Sequence, residues 1–415
     1  MRWQFGAALL GLVAVLGVGC SSSPVATPPD RERPARSIEP EFGGKPVLPA
    51  PNLANDGPGS LIESRPLDSY FLDTVDAISV RIGYRSTTAD GSPSNVTGVV
   101  VLPPGTPPKG GWPVVSYNHD VTGVDNRCAP SLGQELGGYT RALTLFVQRG
   151  YAVVMPDYEG LGMAGGVHSI LAGDAFGRNV IDAVRAAHRV TPALSNHWAA
   201  FGTGQGGLAS WAAAELAGSY GQGLDFVGSV ALSPYADLSG LVDAATSGNL
   251  SDDQVKLLSQ VLQSVANMQS GFDIDSFRSV KARDQWQTLT DCAPIDPNTY
   301  TKVMGDFHAD DLRPADGAPV DALRRALVEA ALPLPAASPP AGPILVVYGT
   351  EDDKVRPKWI EDAVRRACDR GDQIEYMRRI GDPDGGNFLA VQIAMGWLKA
   401  RFDGQKLDPG CIGGG

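Results

Sequence analysis

Phe201-Gly202-Thr203-Gly204-Gln205-Gly206-Gly207 joins an apolar run to an Ala-rich one. A chain turning there from strand to helix is the setting of Gly-x-Ser-x-Gly, whose serine oxygen attacks an acyl carbon. The flanking glycines allow a sharp turn and close packing of helix on strand. The third position, however, is Gly204, which carries no oxygen. Thr203 is one residue early, so its side chain is expected to point elsewhere, and Ser210 lies too far into the helix. A nucleophile in such a turn is held in a backbone conformation that costs on the order of 1–3 kcal/mol. Glycine adopts it freely. Gly204 therefore relaxes the turn and deletes the nucleophile in one change.

A serine of this kind works with a base and with an acid that orients the base. An acid position follows an apolar run at Tyr348-Gly349-Thr350-Glu351-Asp352. The base belongs further on, in the loop before the last helix. That loop reads Ile380-Gly381-Asp382-Pro383-Asp384-Gly385-Gly386, and no histidine follows His308. Asp384 fills the expected place, where a carboxylate is a poor base at neutral pH and repels Asp352. His119 and His168 read as structural, and His188 (helix end) and His197 (loop) as solvated. His308 is the other candidate for a substitute base. Asp157 and Glu159 flank Tyr158 beside glycines, which suggests a hydrogen-bonded turn. Asn95-Val96-Thr97 matches a glycosylation sequon. No cysteine pair has CxxC spacing, so no metal and no cofactor is expected.

The elements that must position these residues follow from hydrophobic period. Residues 78–84 alternate, Thr88-Ala89-Asp90-Gly91-Ser92-Pro93 is turn chemistry, and 96–102 run back as a second strand. Short apolar runs at 112–117, 152–155, 199–201, 227–232 and 344–348 read as strands. Helical spacing marks 136–149, 178–189, 208–217 and 390–401. Apolar strands alternating with helices imply an α/β fold, a mostly parallel sheet flanked by helices. The rhythm breaks over about 238–342, where Val255, Leu258, Val261, Leu262 and Val265 make an amphipathic helix and 320–332 a second. This insert is expected to cap the sheet's C-terminal edge.

The chain has 415 residues and a formal net charge of -12, which argues against a nucleic-acid partner. One basic residue, Arg2, precedes an apolar run from Phe5 to Val18, shorter than the roughly 20 residues of a membrane span. Residues 1–19 therefore read as a signal peptide. Leu16-Gly17-Val18-Gly19-Cys20 resembles a bacterial lipoprotein lipobox, which makes Cys20 a lipid-attachment site and the membrane a partner through that anchor. Residues 20–51 are Ser-, Pro- and Ala-rich and read as a flexible tether, leaving 52–415 as the folded domain. Cys128, Cys292, Cys368 and Cys411 remain, an even number suited to disulfides in an oxidising compartment. Of the three connectivities four cysteines allow, Cys128–Cys292 with Cys368–Cys411 is favoured; the second staples the tail to a helix.

Several blocks together resemble one family. They are Tyr84-Arg85-Ser86-Thr87, Trp112-Pro113-Val114-Val115, His119 through Cys128-Ala129-Pro130-Ser131, and Pro156-Asp157-Tyr158-Glu159-Gly160-Leu161-Gly162 with His168. From Pro58 to Phe402 the chain resembles bacterial secretory lipases, α/β-hydrolases related to the fungal lipase A group. The resemblance implies a Ser–Asp–His triad, a cap and hydrolysis of acylglycerols. By it, Gly204 is the lost serine, Asp352 the retained acid and Asp384 the lost histidine. Asp120 and Gln205 would offer backbone N–H groups to the oxyanion hole, with Asp120 replacing a glycine common in bacterial members. Three functions follow as alternatives: a non-catalytic homologue binding a lipid, acyl ester or protein partner at the envelope; an ester hydrolase with an unorthodox site; and an envelope structural or assembly factor. An open, lined pocket favours the first over the third.

Overall fold

The computed structural model describes residues 48–163, 168–292, 297–314, 317–335, 337–380, 388–408 and 410–414, with backbone alone at 297, 300, 301, 388 and 414. The signal and lipobox segments, Cys20, the tether up to residue 47, and Asp384 lie outside the described residues. Strands β1 (Leu61–Pro66), β2 (Ile78–Thr87), β3 (Pro93–Leu102), β4 (Trp112–Asn118), β5 (Ala152–Pro156), β6 (Leu194–Thr203), β7 (Asp225–Leu232), β8 (Ile344–Gly349), β9 (Ile374–Arg379) and β10 (Cys411–Gly414) form one sheet. Their spatial order is β1-β2-β3-β5-β4-β6-β7-β8-β9-β10. The first four strands in that order pair antiparallel. From β5 through β10 every pairing is parallel.

The helices are α1 (Tyr70–Asp73), α2 (Thr140–Val147), α3 (Gly173–Val190), α4 (Gln205–Tyr220), α5 (Gly240–Ser247), α6 (Asp252–Met268), α7 (Val280–Thr290), α8 (Pro297–Asp306), α9 (Gly317–Glu329), α10 (Pro357–Arg370) and α11 (Phe388–Phe402). Successive strand residues point to opposite faces, so the apolar strands feed two cores. Val100, Val114, Val154 and Ala200 join Phe176 of α3, Trp211 of α4 and Ile360 of α10. Val99, Val115, Val153 and Phe201 join Leu143 and Phe146 of α2 and Leu398 of α11. Each fully buried Leu or Phe contributes about 1.5–3 kcal/mol of transfer free energy.

Helices α5 to α9 occupy the chain between β7 and β8. Ser251 and Gln254 form a capping box that starts α6. The stripe Val255, Leu258, Val261, Leu262 and Val265 is buried, in the same cluster as α3 and α4. Trp286 of α7 closes on α6 by donating from Nε1 to Gln263 at 2.7 Å.

Some elements differ from expectation. The single helix expected over 136–149 is a 3-10 turn at Leu136–Gly138 followed by α2, because Gly137 takes a φ of 64°. β1 and β10 were not anticipated: β1 exposes charged residues and β10 is half glycine. Disulfides join Cys128 to Cys292 and Cys368 to Cys411, with Cα separations of 4.9 and 5.8 Å. The second fastens β10 to α10. No described helix is long and apolar enough to cross a membrane.

Candidate functional site

The turn from β6 to α4 is built on close contact. A Cβ on Gly202 would overlap the Gly206 carbonyl, and one on Gly206 would overlap the Asn118 carbonyl at the end of β4. Gly204 sits between them with φ 57° and ψ -116°, a conformation an L side chain resists. Its N–H donates to Leu232 of β7, and its carbonyl accepts from Leu208 and Tyr235. The turn is thus held on both sides by backbone bonds, and α4 begins at Gln205.

Gly204 makes no side-chain cap to α4. Its place is taken by Asp120, from the loop after β4. Asp120 Oδ1 accepts the Gln205 N–H at 3.0 Å and the Val121 N–H at 2.8 Å. Oδ2 accepts from Lys354 Nζ at 3.0 Å. A Cβ on residue 204 would lie 2.5 Å from Asp120 Cγ and 2.7 Å from Oδ2, with Oδ1 nearer still. The carboxylate therefore fills the volume that a side chain at 204 would need. Burial works against its charge, but the Lys354 ammonium and the N–H groups of Gln205 and Val121 outweigh it and hold its pKa below the usual range. Burial likewise works against the Lys354 charge, and Asp120 reverses it, raising Lys354 well above its ordinary value.

This arrangement differs from the expected pair of open oxyanion donors. The Asp120 N–H donates to the Tyr139 hydroxyl at 3.2 Å, and the Gln205 N–H is taken by the Asp120 side chain. The physical reason is that a side chain at 120 reaches the positive end of α4 through space left empty at 204.

Asp352, in the loop after β8, faces the same cavity of about 310 Å³, lined by Asp120, Thr203, Gly204, Ser233, Tyr235 and Lys354, with Asp253, Asp353 and Val355. Thr203 borders the same cavity. Burial raises the Asp352 pKa, opposed by the Val355 N–H, the Ser233 hydroxyl and the Lys354 N–H. Asp352 Oδ1 accepts the Lys354 and Val355 N–H groups at 3.0 and 2.8 Å. Ser233 itself has a φ of 37°, a strained value for a side-chain-bearing residue. Lys354, Ser233 and Tyr235 were not singled out from sequence. The acid loop carrying Lys354 was legible, but its partner lies 234 residues away.

The histidines divide otherwise than expected. His119 and His168 are fully buried. His119 Nδ1 meets the Asp120 carbonyl at 2.7 Å; His168 Nδ1 meets the Glu159 carbonyl at 2.8 Å and its Nε2 the Gln205 amide at 2.9 Å. His188, read as solvated, is half-buried near the end of α3, and its Nε2 is buried with no hydrogen-bond partner among the described residues. His197 is exposed but lies within β6 rather than in a loop. His308 is not brought to this site: it is exposed at the N-cap of the 3-10 helix Ala309–Leu312 and lines a different surface cavity with Lys281 and Lys302. Asp157 is the centre of the expected turn, accepting from Thr97 Oγ1 at 2.6 Å and the Ser131 N–H at 2.9 Å.

Burial pushes His168 down from 6.5 to about 4, so it is neutral when folded and takes up a proton on unfolding. Its stabilising contribution is whole above about pH 6.5 and is lost as the pH falls to about 4, some 3 kcal/mol in all. Urea unfolding should therefore show stability falling across that interval. His168→Gln is expected to flatten the curve by about one proton; an equally steep curve in the variant would refute the assignment.

The secretory lipase family model matches residues 139–410. The probable inactive lipase MT1628 of Mycobacterium tuberculosis (strain CDC 1551 / Oshkosh) is 26% identical over 375 residues, 84% of this chain and 80% of that protein. Lipase 10 of Candida albicans is 24% identical over 397 residues, 88% of this chain and 81% of that one. Candida antarctica lipase A in its closed state superposes with a TM-score of 0.66 at 18% identity, covering 88% of each chain. A ligand-bound form of the rice cell wall degrading esterase LipA from Xanthomonas oryzae gives 0.63 at 19% identity, covering 84% of this chain and all of that one. These structural likenesses show the fold. The two disulfides add the mark of an exported protein. With its family match running through strands β5 to β9 and every helix from α2 on, the chain belongs to the secretory lipase family and has the α/β-hydrolase fold.

Proposed function

We propose that this family member is a non-catalytic homologue, anchored at the cell envelope through lipid on Cys20, that binds a lipid or acyl ester without turning it over. The observation that carries this reading is the filled nucleophile position: Gly204 has no oxygen, and the Asp120 carboxylate stands where a side chain would be. Asp352 keeps the acid position, and Asp384 replaces the histidine. The triad acts as a unit, so loss of two members leaves little beyond binding. A probable inactive lipase among the relatives is in keeping with this. Residues 238–342 serve as the cap. The cavity, about 310 Å³, is at the small end of ligand pockets and suits an ester or head group better than a whole acyl chain.

One observation favours a second reading, an ester hydrolase with an unorthodox site. The Ser233 hydroxyl donates to Asp352 inside the cavity. A carboxylate is a poor base for a serine at neutral pH, and the described histidines lie elsewhere or are buried in structural bonds.

Hydrolysis of short- and long-chain fluorogenic acyl esters by the full chain separates the two. The expected result is no turnover above Asp352→Ala and Ser233→Ala. Turnover abolished by either substitution would establish the hydrolase instead. The anchor is tested in the same host: membrane retention and labelling by a fatty-acid precursor should vanish in Cys20→Ala, and unchanged labelling would end that part of the proposal.

A further inference from the structure

The bonds around Asp120 have the composition of a receptor for an anion. Gln205 N–H is the first donor of α4, a 16-residue helix, whose N-terminus favours negative charge. Val121 N–H is a second donor to the same oxygen. Lys354 Nζ supplies a full positive charge to the other oxygen and lies 5.2 Å from the centre of the Tyr235 ring. Tyr235 is 3% exposed, and its hydroxyl lies near both ends of the pair without a well-formed hydrogen bond to either. Two N–H groups, an ammonium and a neighbouring phenol therefore converge on one planar carboxylate. The carboxylate belongs to the chain itself.

We infer that these donors form a carboxylate receptor, that Asp120 is its internal ligand, and that this ligand excludes free organic acids from the cavity. The inference deepens the proposed function by setting the ligand class: the native cavity admits a neutral ester or head group and refuses the free acid. Two features make the exclusion strong. Asp120 is tethered, so no external acid matches its effective concentration. While it stays, an entering carboxylate also meets Asp352, Asp253 and Asp353, with Lys354 already neutralised. The inference rests on the reading of Gly204 as a vacated position, because a side chain there would displace the carboxylate. No bond is made or broken; only occupancy changes.

The test is binding of acetate, butyrate and octanoate to the full chain and to Asp120→Ala, followed by calorimetry and melting, with chloride at matched ionic strength as control. The wild-type chain should show no carboxylate-dependent shift. Asp120→Ala should melt lower and recover by about 5 °C at saturating carboxylate. Adding Lys354→Met should abolish the recovery, which separates the receptor from a general salt effect. If Asp120→Ala does not fold alone, refolding in acetate should restore it; failure in both conditions counts against the inference. Equal carboxylate binding by wild type and variant, or none by the variant, overturns it. Because the readout is binding, an ester turnover that sank the non-catalytic reading would leave this result interpretable.

Discussion

Gly204→Ser, the change that restores an oxygen to the elbow, should yield no esterase activity and should lower stability by about 2–4 kcal/mol. The backbone at 204 is in a region that costs a side-chain-bearing residue on the order of 1–3 kcal/mol. The new Cβ would also lie 2.5 Å from Asp120 Cγ, closer than real Cβ atoms come. Asp120 would have to swing away, giving up Gln205, Val121 and Lys354 together. A double-mutant cycle isolates this conflict. Asp120→Gly with Gly204→Ser should cost less than the sum of the two single changes by about 1–2 kcal/mol, read from urea midpoints. Additive losses would show that the carboxylate and a side chain at 204 do not compete. Recovering catalysis would then need Asp384→His on top of this pair, a three-site reversal.

Removing the Cys128–Cys292 bond should cost about 2–5 kcal/mol. The bond closes a loop of 164 residues, for which the chain-entropy relation gives about 5 kcal/mol. It ties the loop that follows Asp120 to the segment just past α7. The neighbouring Arg127–Asp291 ion pair, at 2.7 Å, is exposed and cannot replace it. Cys368–Cys411 closes 43 residues, only about 1 kcal/mol less by the same relation. Yet Cys368→Ser with Cys411→Ser should cost far less in global unfolding. Four residues of β10 can detach while both cores stay packed. Equal losses in global stability for the two double variants would contradict this division between core and tail.

The parallel part of the sheet was legible because its strands are short, continuous apolar runs. Residues 344–348 and 152–155 have no other good use than burial on both faces. β1 was not, because Glu63, Ser64 and Arg65 carry no apolar alternation and its pairing rests on β2. The elbow was legible from glycines whose spacing reflects close backbone contact at Asn118. The fate of Asp120 was not. Its backbone position is local information, but its carboxylate is placed by a helix start 85 residues on and an ammonium 234 residues on. One signal was present: residue 204 lost a side chain while residue 120 gained one, opposite changes that can fill one volume.

β10 also decides where the chain can be made. Short strands hold poorly by themselves, and this one is kept on β9 by four paired residues and the bond from Cys411 to α10. In a reducing cytosol that bond does not form, and β9 is left as a bare edge of unpaired N–H and C=O groups, ready to add a strand from a neighbouring chain. Material produced without oxidation should therefore be lost to inclusion bodies through the sheet's last strand, while the same polypeptide sent through an oxidising secretion route stays dispersed.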